Sequence, residues 1–216
     1  MTAVLSLTAQ LVIGGITGLT FFFIDTGKTT EESSENDFLV PILTMELIVQ
    51  AIELFWYSVV VLYYKEIITW TRYVDWAVTT PVMLVTTALF FLHRRRRRGE
   101  TDDDTHLMPG ETSIMLSFNM LMLSLGFSAE TGLIPVDIAV LAGGLCLLVS
   151  YYVLFTFLDP EDVLSVILFS AMLLVWSLYG VAAILSYEKK NISYNLLDIV
   201  SKNFYGLFFF VYVVSV

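Results

Sequence analysis

Residues 195–206 read NLLDIVSKNFYG and lie in an apolar run that continues to residue 216. A lysine inside such a run, Lys202, is costly in a membrane unless it is paired or used. Asp198 precedes Lys202 by four residues, so a helix places both side chains on one face. Two interpretations stay open at this point. The pair is either a structural ion pair, or an amine that forms a Schiff base with an aldehyde, with Asp198 beside the resulting cation.

The composition is that of an integral membrane chain. Hydrophobic residues make up 57% and charged residues only 15% of the 216 positions, and the mean hydropathy is +0.78. The hydrophobic fraction and the mean hydropathy are higher, and the charged fraction lower, than in soluble globular proteins. The net charge of -10 argues against nucleic acid as a partner. The single Cys146 excludes an internal disulfide, and the isolated His93 and His106 argue against a zinc site.

Seven stretches are long and apolar enough, at ~20 residues, to form helices that cross a bilayer. We number them spans 1–7 in chain order: 4–24, 38–64, 70–92, 112–128, 133–158, 162–186 and 192–216. Span 1 lacks a basic n-region and continues into a second span, so it is interpreted as a retained helix and not a secretory signal. The connectors are short and contain no soluble domain. The sequence therefore predicts an all-α membrane protein with a single domain over residues 1–216.

Lysines and arginines in the connectors predict the orientation, because acidic residues contribute little to the positive-inside rule. With the N-terminus outside, the cytoplasmic connectors hold Lys28 and the run Arg94–Arg98, six basic residues in all. The extracellular connectors hold only Lys65, Lys189 and Lys190. This difference favours an extracellular N-terminus and a cytoplasmic C-terminus. The arginine run is then a topology anchor that contacts anionic lipid.

Polar residues inside the spans are functional candidates, since each is expensive in lipid. Span 3 contains RYVDWAVTTP at residues 72–81, and helical spacing puts Arg72, Asp75 and Thr79 on one face. Span 6 contains FSAMLLVW at residues 169–176. Aromatic and methionine side chains at this spacing are usually packing residues, but they would equally line a slot for a flat polyene.

These motifs resemble those of a known family, the microbial rhodopsins, and the resemblance covers all seven spans. RYVDWAVTTP is similar to the counterion motif of the family, and LLDIVSK at residues 196–202 to its retinal-lysine motif. FSAMLLVW matches the pocket pattern of span 6, and YVLF at residues 152–155 fits span 5. The resemblance implies a seven-transmembrane-helix bundle that is a photoreceptor and not an enzyme. It also implies a homo-oligomer, since family members form dimers, trimers and pentamers.

The resemblance further implies that Lys202 binds all-trans retinal as a protonated Schiff base. Asp75 and Asp198 would be its counterions, with Arg72 on their extracellular side. A buried iminium needs a nearby anion, and two carboxylates with one arginine leave such a cluster close to neutral. The implied pocket consists of Trp76, Thr79, Thr80, Met83, Leu147, Phe169, Met172 and Trp176, with the two tryptophans on either side of the polyene.

The use of the light is a separate question, because a fold does not fix a function. Proton pumps of the bacteriorhodopsin type carry a carboxylate on span 3, eleven residues after the counterion. Here that position is Thr86, which cannot donate a proton at ordinary pH. The positions of the two proton-releasing glutamates correspond to Val181 and Lys190. A fast pump of this design is therefore disfavoured, whereas a slow outward proton pump stays possible.

Span 2 carries a polar stripe, since Glu46, Gln50 and Glu53 recur at i, i+4 and i+7. A column of carboxylates attracts cations and repels anions. The spacing resembles the glutamate ladder of channelrhodopsins, and the short connectors are similar to those of small viral rhodopsins, especially their channel-forming branch. The stripe could also be two protonated acids that only pack helices. The implied ion path is lined by Glu46, Gln50, Glu53, Tyr57, Asn119 and Asn203, with Asn119 facing Thr80.

Three functions are consistent with these residues. The first is a light-gated channel for monovalent cations or protons, and the second is the slow outward proton pump with Asp75 as acceptor. The third is a photosensor that signals through a partner, which ranks last because the sequence encodes no transducer.

Overall fold

The computed structural model of the protein describes residues 36–63, 69–100 and 106–215, together with Thr8, Val12 and Ile16. Six helices in this part are long and apolar enough to cross a membrane, and the described residues form no strand. The predicted all-α class is therefore confirmed. Predicted span 1, residues 4–24, lies outside the described residues apart from those three. The prediction of a single domain over 1–216 stays a prediction.

The helices correspond to spans 2–7 of the sequence. Span 2 is Asn36–Tyr63, span 3 is Arg72–Arg97, span 4 is Pro109–Glu130, span 5 is Val136–Phe157 and span 6 is Val163–Ala183. Span 7 consists of the α-helix Tyr187–Asp198, the π-helix Ile199–Phe204 and the α-helix Tyr205–Ser215. A short 3-10 turn, Thr69–Thr71, leads into span 3.

Two predicted helix ends are wrong by five residues because the helices continue beyond their apolar cores, whereas the other ends of spans 2–7 agree within three residues. Span 3 includes Arg94–Arg97, which the sequence placed in a connector. Cations in a last helical turn are favourable beside the partial negative charge of the free carbonyls. Span 7 begins at Tyr187 and not at residue 192, with Glu188 in its first turn, where an acid is favourable for the opposite reason. The length of an apolar run in the sequence indicates which part of a helix lies in the apolar layer of a membrane. It does not indicate where the helix ends.

Span 3 continues through Pro81 without a break. Proline lacks an N–H group and disturbs the hydrogen bonds of the preceding turn. Two threonines just before it bond back to the helix: Thr79 Oγ1 donates to the Asp75 carbonyl at 3.0 Å, and Thr80 Oγ1 to the Trp76 carbonyl at 2.8 Å. These bonds satisfy both hydroxyls inside the bundle, as buried polar groups require.

The bundle brings spans 2, 3 and 7 together around its middle. Span 2 packs against span 3 and against the second half of span 7. The π-helix Ile199–Phe204 lies at this level and carries Lys202, and π-helical turns are frequent at functional sites. We call the end of the bundle with Arg94–Arg98 the arginine end. Arg72 lies toward the opposite end, at the start of span 3.

Candidate functional site

The centre of the site is the side chain of Lys202, which is only 1% exposed. Its Nζ donates to Asp75 Oδ2 of span 3 in a close ion pair. Two further carboxyls lie near the same nitrogen: Glu53 Oε1 at 3.7 Å and Asp198 Oδ1 at 4.0 Å. Spans 2, 3 and 7 thus each direct one acid at the lysine, so the pair of Lys202 with Asp198 alone does not describe the site.

Asp198 is held by four hydrogen-bond donors. Its Oδ2 accepts from Tyr57 Oη at 2.6 Å and from an Arg72 amino group at 3.0 Å. Its Oδ1 accepts from Trp76 Nε1 at 3.2 Å and from Tyr179 Oη at 2.7 Å. These four hydrogen bonds hold the Asp198 carboxyl in one orientation next to Lys202.

Arg72 closes the site toward the end opposite the arginine end. Its guanidinium is 3% exposed and bonds to Asp198, to Tyr57 Oη at 2.9 Å and to Asn195 Oδ1 in a short contact. The Tyr57 and Tyr194 rings lie 5.8 and 5.9 Å from its central carbon, a cation–π distance. The expected face of Arg72, Asp75 and Thr79 points inward, since all three are buried.

The charges of this buried cluster do not cancel if every group is ionised. Lys202 and Arg72 supply two positive charges, whereas Asp75, Asp198 and Glu53 would supply three negative ones. Uncompensated charge in a low-dielectric interior is strongly unfavourable. The cluster is neutral when one carboxyl carries a proton. Neither oxygen of Glu53 makes a hydrogen bond of normal geometry to a described residue, and its ionic contact within the cluster is with Lys202 Nζ at 3.7 Å.

A cavity of about 570 Å³ adjoins Lys202 between spans 3, 4, 5 and 6 and has the volume of a small-molecule site. Six of the residues expected around retinal line it: Trp76, Thr80, Met83, Leu147, Trp176 and Lys202. The lining also includes residues that the sequence analysis missed: Tyr73, Met122, Gly126, Tyr179, Tyr194 and Ser201. Tyr179 follows Trp176 by three residues on one helix face, and this spacing could have revealed it.

Three residues expected in the pocket do not line this cavity: Thr79, Phe169 and Met172. Thr79 is buried with its hydroxyl bonded to the Asp75 carbonyl. The Tyr151 ring explains the position of Phe169, because it lies 5.6 Å from the Phe169 ring and 5.7 Å from the Trp176 ring. Met172 packs further along span 6, where its sulfur accepts from Thr87 Oγ1 at 3.3 Å. Phe169 and Met172 both belong to the layer of side chains behind the cavity wall.

The polar stripe of span 2 faces the interior of the bundle. Glu46, Gln50 and Glu53 are 3%, 5% and 0% exposed. Gln50 Nε2 donates to the Lys202 carbonyl at 3.0 Å. The carboxyl oxygens of Glu46 and Glu53 and both amide atoms of Asn203 have no partner among the described residues. Buried polar atoms without partners are rare and call for a functional explanation or for bound water.

Two further positions singled out in the sequence are also in place. Asn119 Nδ2 donates to Thr80 Oγ1 at 2.8 Å, so the predicted contact between spans 4 and 3 is present. Thr86 is fully buried and bonds back to the Val82 carbonyl at 2.9 Å. Its hydroxyl lies 3.8 Å from Met45 Sδ of span 2.

Comparisons with known proteins agree with this architecture. The family model described as bacteriorhodopsin-like protein matches residues 2–216. A comparison with curated protein sequences finds no match. Among solved structures, the viral rhodopsin OLPVRII is similar at 28% identity and a TM-score of 0.83, covering 99% of this chain and 96% of that one.

More distant structures share the fold. A blue light-absorbing proteorhodopsin from Med12 is 20% identical with a TM-score of 0.71, covering 99% of this chain and 96% of its own. A light-driven proton pump from Leptosphaeria maculans is 11% identical with a TM-score of 0.72, covering 100% of this chain and 95% of its own. Since the family model spans nearly the whole sequence, this integral membrane protein belongs to the bacteriorhodopsin-like family of microbial rhodopsins, whose members bind retinal.

Proposed function

We propose that this protein is a retinal-binding photoreceptor that acts as a light-gated cation channel. The observation that carries the proposal is the polar stripe, which adjoins the lysine directly. Glu53 Oε1 lies 3.7 Å from Lys202 Nζ, and Gln50 bonds to the Lys202 backbone. Glu46, Glu53 and Asn203 are buried with polar atoms that no described residue satisfies. Such atoms fit a path that fills with water and cations when it opens.

The residues around Lys202 fit retinal, which we take to be the all-trans isomer. Lys202 would hold it by Nζ, with Asp75 and Asp198 as counterions. The adjoining cavity is mainly apolar, with Trp76 and Trp176 in its wall, and this suits a conjugated hydrocarbon. The buried network of Arg72, Tyr57 and Asn195 excludes bulk water on one side. When bound, retinal supplies light absorption and a change of shape at Lys202.

Movement at Lys202 would reach the stripe through existing contacts. Displacement of Lys202 Nζ weakens its ion pair with Asp75 and its attraction to Glu53. The charged side chains or protons of the buried cluster then have to rearrange. The hydrogen bond from Gln50 to the Lys202 carbonyl ties span 2 to the same turn of span 7. A shift of that turn therefore pulls directly on the middle of the stripe. The bond between Asn119 and Thr80 would hold span 4 to span 3 and contribute to the gate.

The path would run past Glu46, Gln50, Glu53 and Asn203 and continue past Asp75, Asp198 and Tyr57. Its acidic side chains attract cations and repel anions, so we infer conduction of monovalent cations or protons. From the basic residues of the connectors we infer an extracellular N-terminus and a cytoplasmic arginine end. We also expect a homo-oligomer, as is usual in the family.

Voltage-clamp recording of retinal-reconstituted protein under illumination tests the proposal. A channel gives photocurrents that reverse sign with membrane voltage, because ions follow their electrochemical gradient. Replacement of the ions one at a time then moves the reversal potential and identifies the permeant species. A photocurrent that stays outward at every voltage would defeat the proposal.

The alternative is a slow outward proton pump. The close ion pair of Lys202 with Asp75 favours it, since a proton acceptor is already in contact with the lysine. Thr86, fully buried and bonded to its own helix, leaves no proton donor at the usual position on span 3, so reprotonation would be slow. The pump predicts the non-reversing outward current. A photosensor, the third possibility, would give no photocurrent, and its light-activated state would decay slowly.

A further inference from the structure

The polar lining of the proposed path stops well before the arginine end. Beyond Glu46, the buried residues of span 2 toward its start are apolar, namely Leu43, Ile42 and Leu39. On span 3, the buried Thr86 and Thr87 are followed by apolar residues only, at positions 88–92, of which Phe90 lies on the same face as Thr86. No polar side chain described on these two faces continues the stripe in this direction until His93.

Aromatic rings fill this gap. The Tyr205 and Phe209 rings of span 7 lie 4.7 Å apart, and the Phe209 ring lies 5.3 Å from Phe90 of span 3. The Phe90 ring in turn lies 5.0 Å from Tyr212. All three contacts are edge-to-face, the favoured geometry of packed aromatic side chains. We call Phe90, Phe209 and Tyr212 the aromatic plug. Phe90 and Phe209 are fully buried and Tyr212 is 7% exposed.

Both ends of the aromatic plug meet polar groups. On the inner side, the stripe ends where Glu46 lies against Gly206, the neighbour of Tyr205: a Cβ there would lie 3.5 Å from Glu46 Oε2. On the side of the arginine end, the His93 ring lies 5.9 Å from the Tyr212 ring. His93 is 1% exposed, and its Nε2 has no hydrogen-bond partner among the described residues.

The barrier is long enough to stop an ion. Thr86 and His93 are seven residues apart on one helix, which is ~10.5 Å at the helical rise. The rings of the plug offer a cation a single buried hydroxyl, Tyr212 Oη, so a cation that crosses this distance has to shed most of its water, at a large cost in free energy. Apolar constrictions close channels by excluding water and open when they become wet.

We propose that the aromatic plug is the closed gate of the conduction path. In this proposal, His93 is the polar residue that an ion meets between the plug and the arginine end. The proposal rests on the proposed channel function and extends it to the arginine end. A light-induced movement of Lys202 would be transmitted to the plug through span 7, because Tyr205, Phe209 and Tyr212 follow Lys202 on the same helix. Tyr205 Oη also lies 2.5 Å from Thr87 Oγ1 and donates to the Met83 carbonyl at 3.0 Å. Movement of Tyr205 therefore changes the contact of span 7 with span 3 at Thr87, three residues before Phe90.

The accessibility of a cysteine tests the barrier without any current. Cys146, the only cysteine in the sequence, is first replaced by serine, and Thr86→Cys then places a nearly isosteric thiol on the inner side of the plug. The retinal-reconstituted protein is treated in the dark with a cationic methanethiosulfonate reagent. With the plug intact, we expect slow modification. Phe90→Ala or Phe209→Ala should accelerate it by about tenfold or more, because water then reaches position 86.

Matched variants make the result specific. Phe127→Ala removes a phenylalanine that is 37% exposed on span 4, away from the plug, and should leave the rate unchanged. His93→Cys, on the outer side, should react faster than Thr86→Cys when the plug is intact. Visible absorption reports correct folding of each variant. Where an alanine variant forms no pigment, Phe90→Leu and Phe209→Leu keep apolar bulk and should accelerate modification less strongly.

Failure of the gate and failure of the channel give different results. Equal rates for Thr86→Cys with and without the phenylalanines, or faster reaction at position 86 than at position 93, would overturn the aromatic plug. Wild-type photocurrents that do not reverse would instead defeat the channel itself. If the currents reverse, Phe90→Ala should in addition show a cation leak in the dark, and a dark current equal to that of Phe127→Ala would count against the gate.

Discussion

Lys202 is the residue on which we expect the pigment to depend. A lysine 1% exposed and surrounded by three carboxyls is in place to hold a cation at its nitrogen, which a helix-packing residue would not need. We expect Lys202→Ala to abolish visible absorption after incubation with retinal, because no other described lysine adjoins the cavity. Lys189→Ala, at an exposed lysine near the start of span 7, is the control and should keep full absorption. A visible band that survives in Lys202→Ala would contradict the retinal assignment.

Gly206 tests the link between the lysine and the stripe. A Cβ at this position would lie 2.8 Å from Gln50 Nε2, so Gly206→Ala should displace Gln50 from its hydrogen bond to the Lys202 carbonyl. Loss of that bond should lower the free energy of unfolding by about 1–2 kcal/mol. The photocurrent should decrease while the visible absorption persists. Gly110→Ala, outside the cavity lining and with nothing within 4 Å of the added Cβ, should change neither quantity. Unchanged photocurrents in Gly206→Ala would show that Gln50 is not needed for coupling.

At the scale of helices, an ion pair at the arginine end joins spans 3 and 6. Arg94 Nε donates to Asp162 Oδ2 at 2.9 Å, and an Arg94 amino group donates to Oδ1 at 2.5 Å. Asp162 also caps span 6 by accepting from the Ser165 backbone N–H at 3.2 Å. The hydrogen bonds from Arg94 hold the pKa of the Asp162 carboxyl below its usual range, at about 2. This pair therefore stabilises the ionised form of Asp162.

The lowered pKa gives the pH dependence of this pair a definite sign. The stabilisation is fully present above the unfolded pKa of Asp, about 4, and is lost as pH falls from there through about 2. We expect Asp162→Asn to lower the thermal unfolding midpoint in detergent near neutral pH. The difference from the wild-type protein should shrink as pH falls below about 4. Glu188→Gln, at an exposed acid, is the control. A difference that is independent of pH would indicate that the charge of Asp162 does not contribute.

The existence of the spans could be predicted from the sequence far better than their ends. Spans 2–7 follow from ~20-residue apolar runs, because burial of apolar surface in lipid is the dominant energy. Their ends depend on local charge, as Arg94–Arg97 in the last turn of span 3 shows. The π-helix Ile199–Phe204, which carries Lys202, has no signal in hydropathy.

At the scale of the whole molecule, the acids in contact with Lys202 illustrate the limit of sequence reasoning. Asp198 was visible because it lies one helical turn before the lysine, and Asp75 because of its motif. Glu53 was placed in the ion path, but its position 3.7 Å from Lys202 Nζ could not be predicted. That distance depends on how spans 2 and 7 pack, and spacing along one helix carries no information about a neighbouring helix.

The same packing gives the two stripe glutamates different roles, although both are buried acids on one face of span 2. Glu53 adjoins Lys202 Nζ, so Glu53→Gln should shift the visible absorption maximum by replacing a carboxyl group beside the pigment with an amide. Glu46 lies against Gly206, a full turn beyond Lys202, so Glu46→Gln should leave the maximum nearly unchanged. Absorption spectra of the two variants measure this difference. Equal shifts would place both acids at the same distance from the chromophore.

Replacing the two glutamates together tests whether the stripe lines a cation path. If the stripe lines a cation path, replacing both acids with glutamine removes the charge that attracts cations. The reversing photocurrent should then fall by about threefold or more and its selectivity for cations over anions should weaken. The control replaces Glu111 and Glu188, two acids outside the stripe, and should leave current and selectivity unchanged. Whole-cell recording with chloride and sodium varied separately measures both effects. A double variant with wild-type currents would mean that Glu46 and Glu53 only pack helices, and the conduction path would then have to lie elsewhere in the bundle.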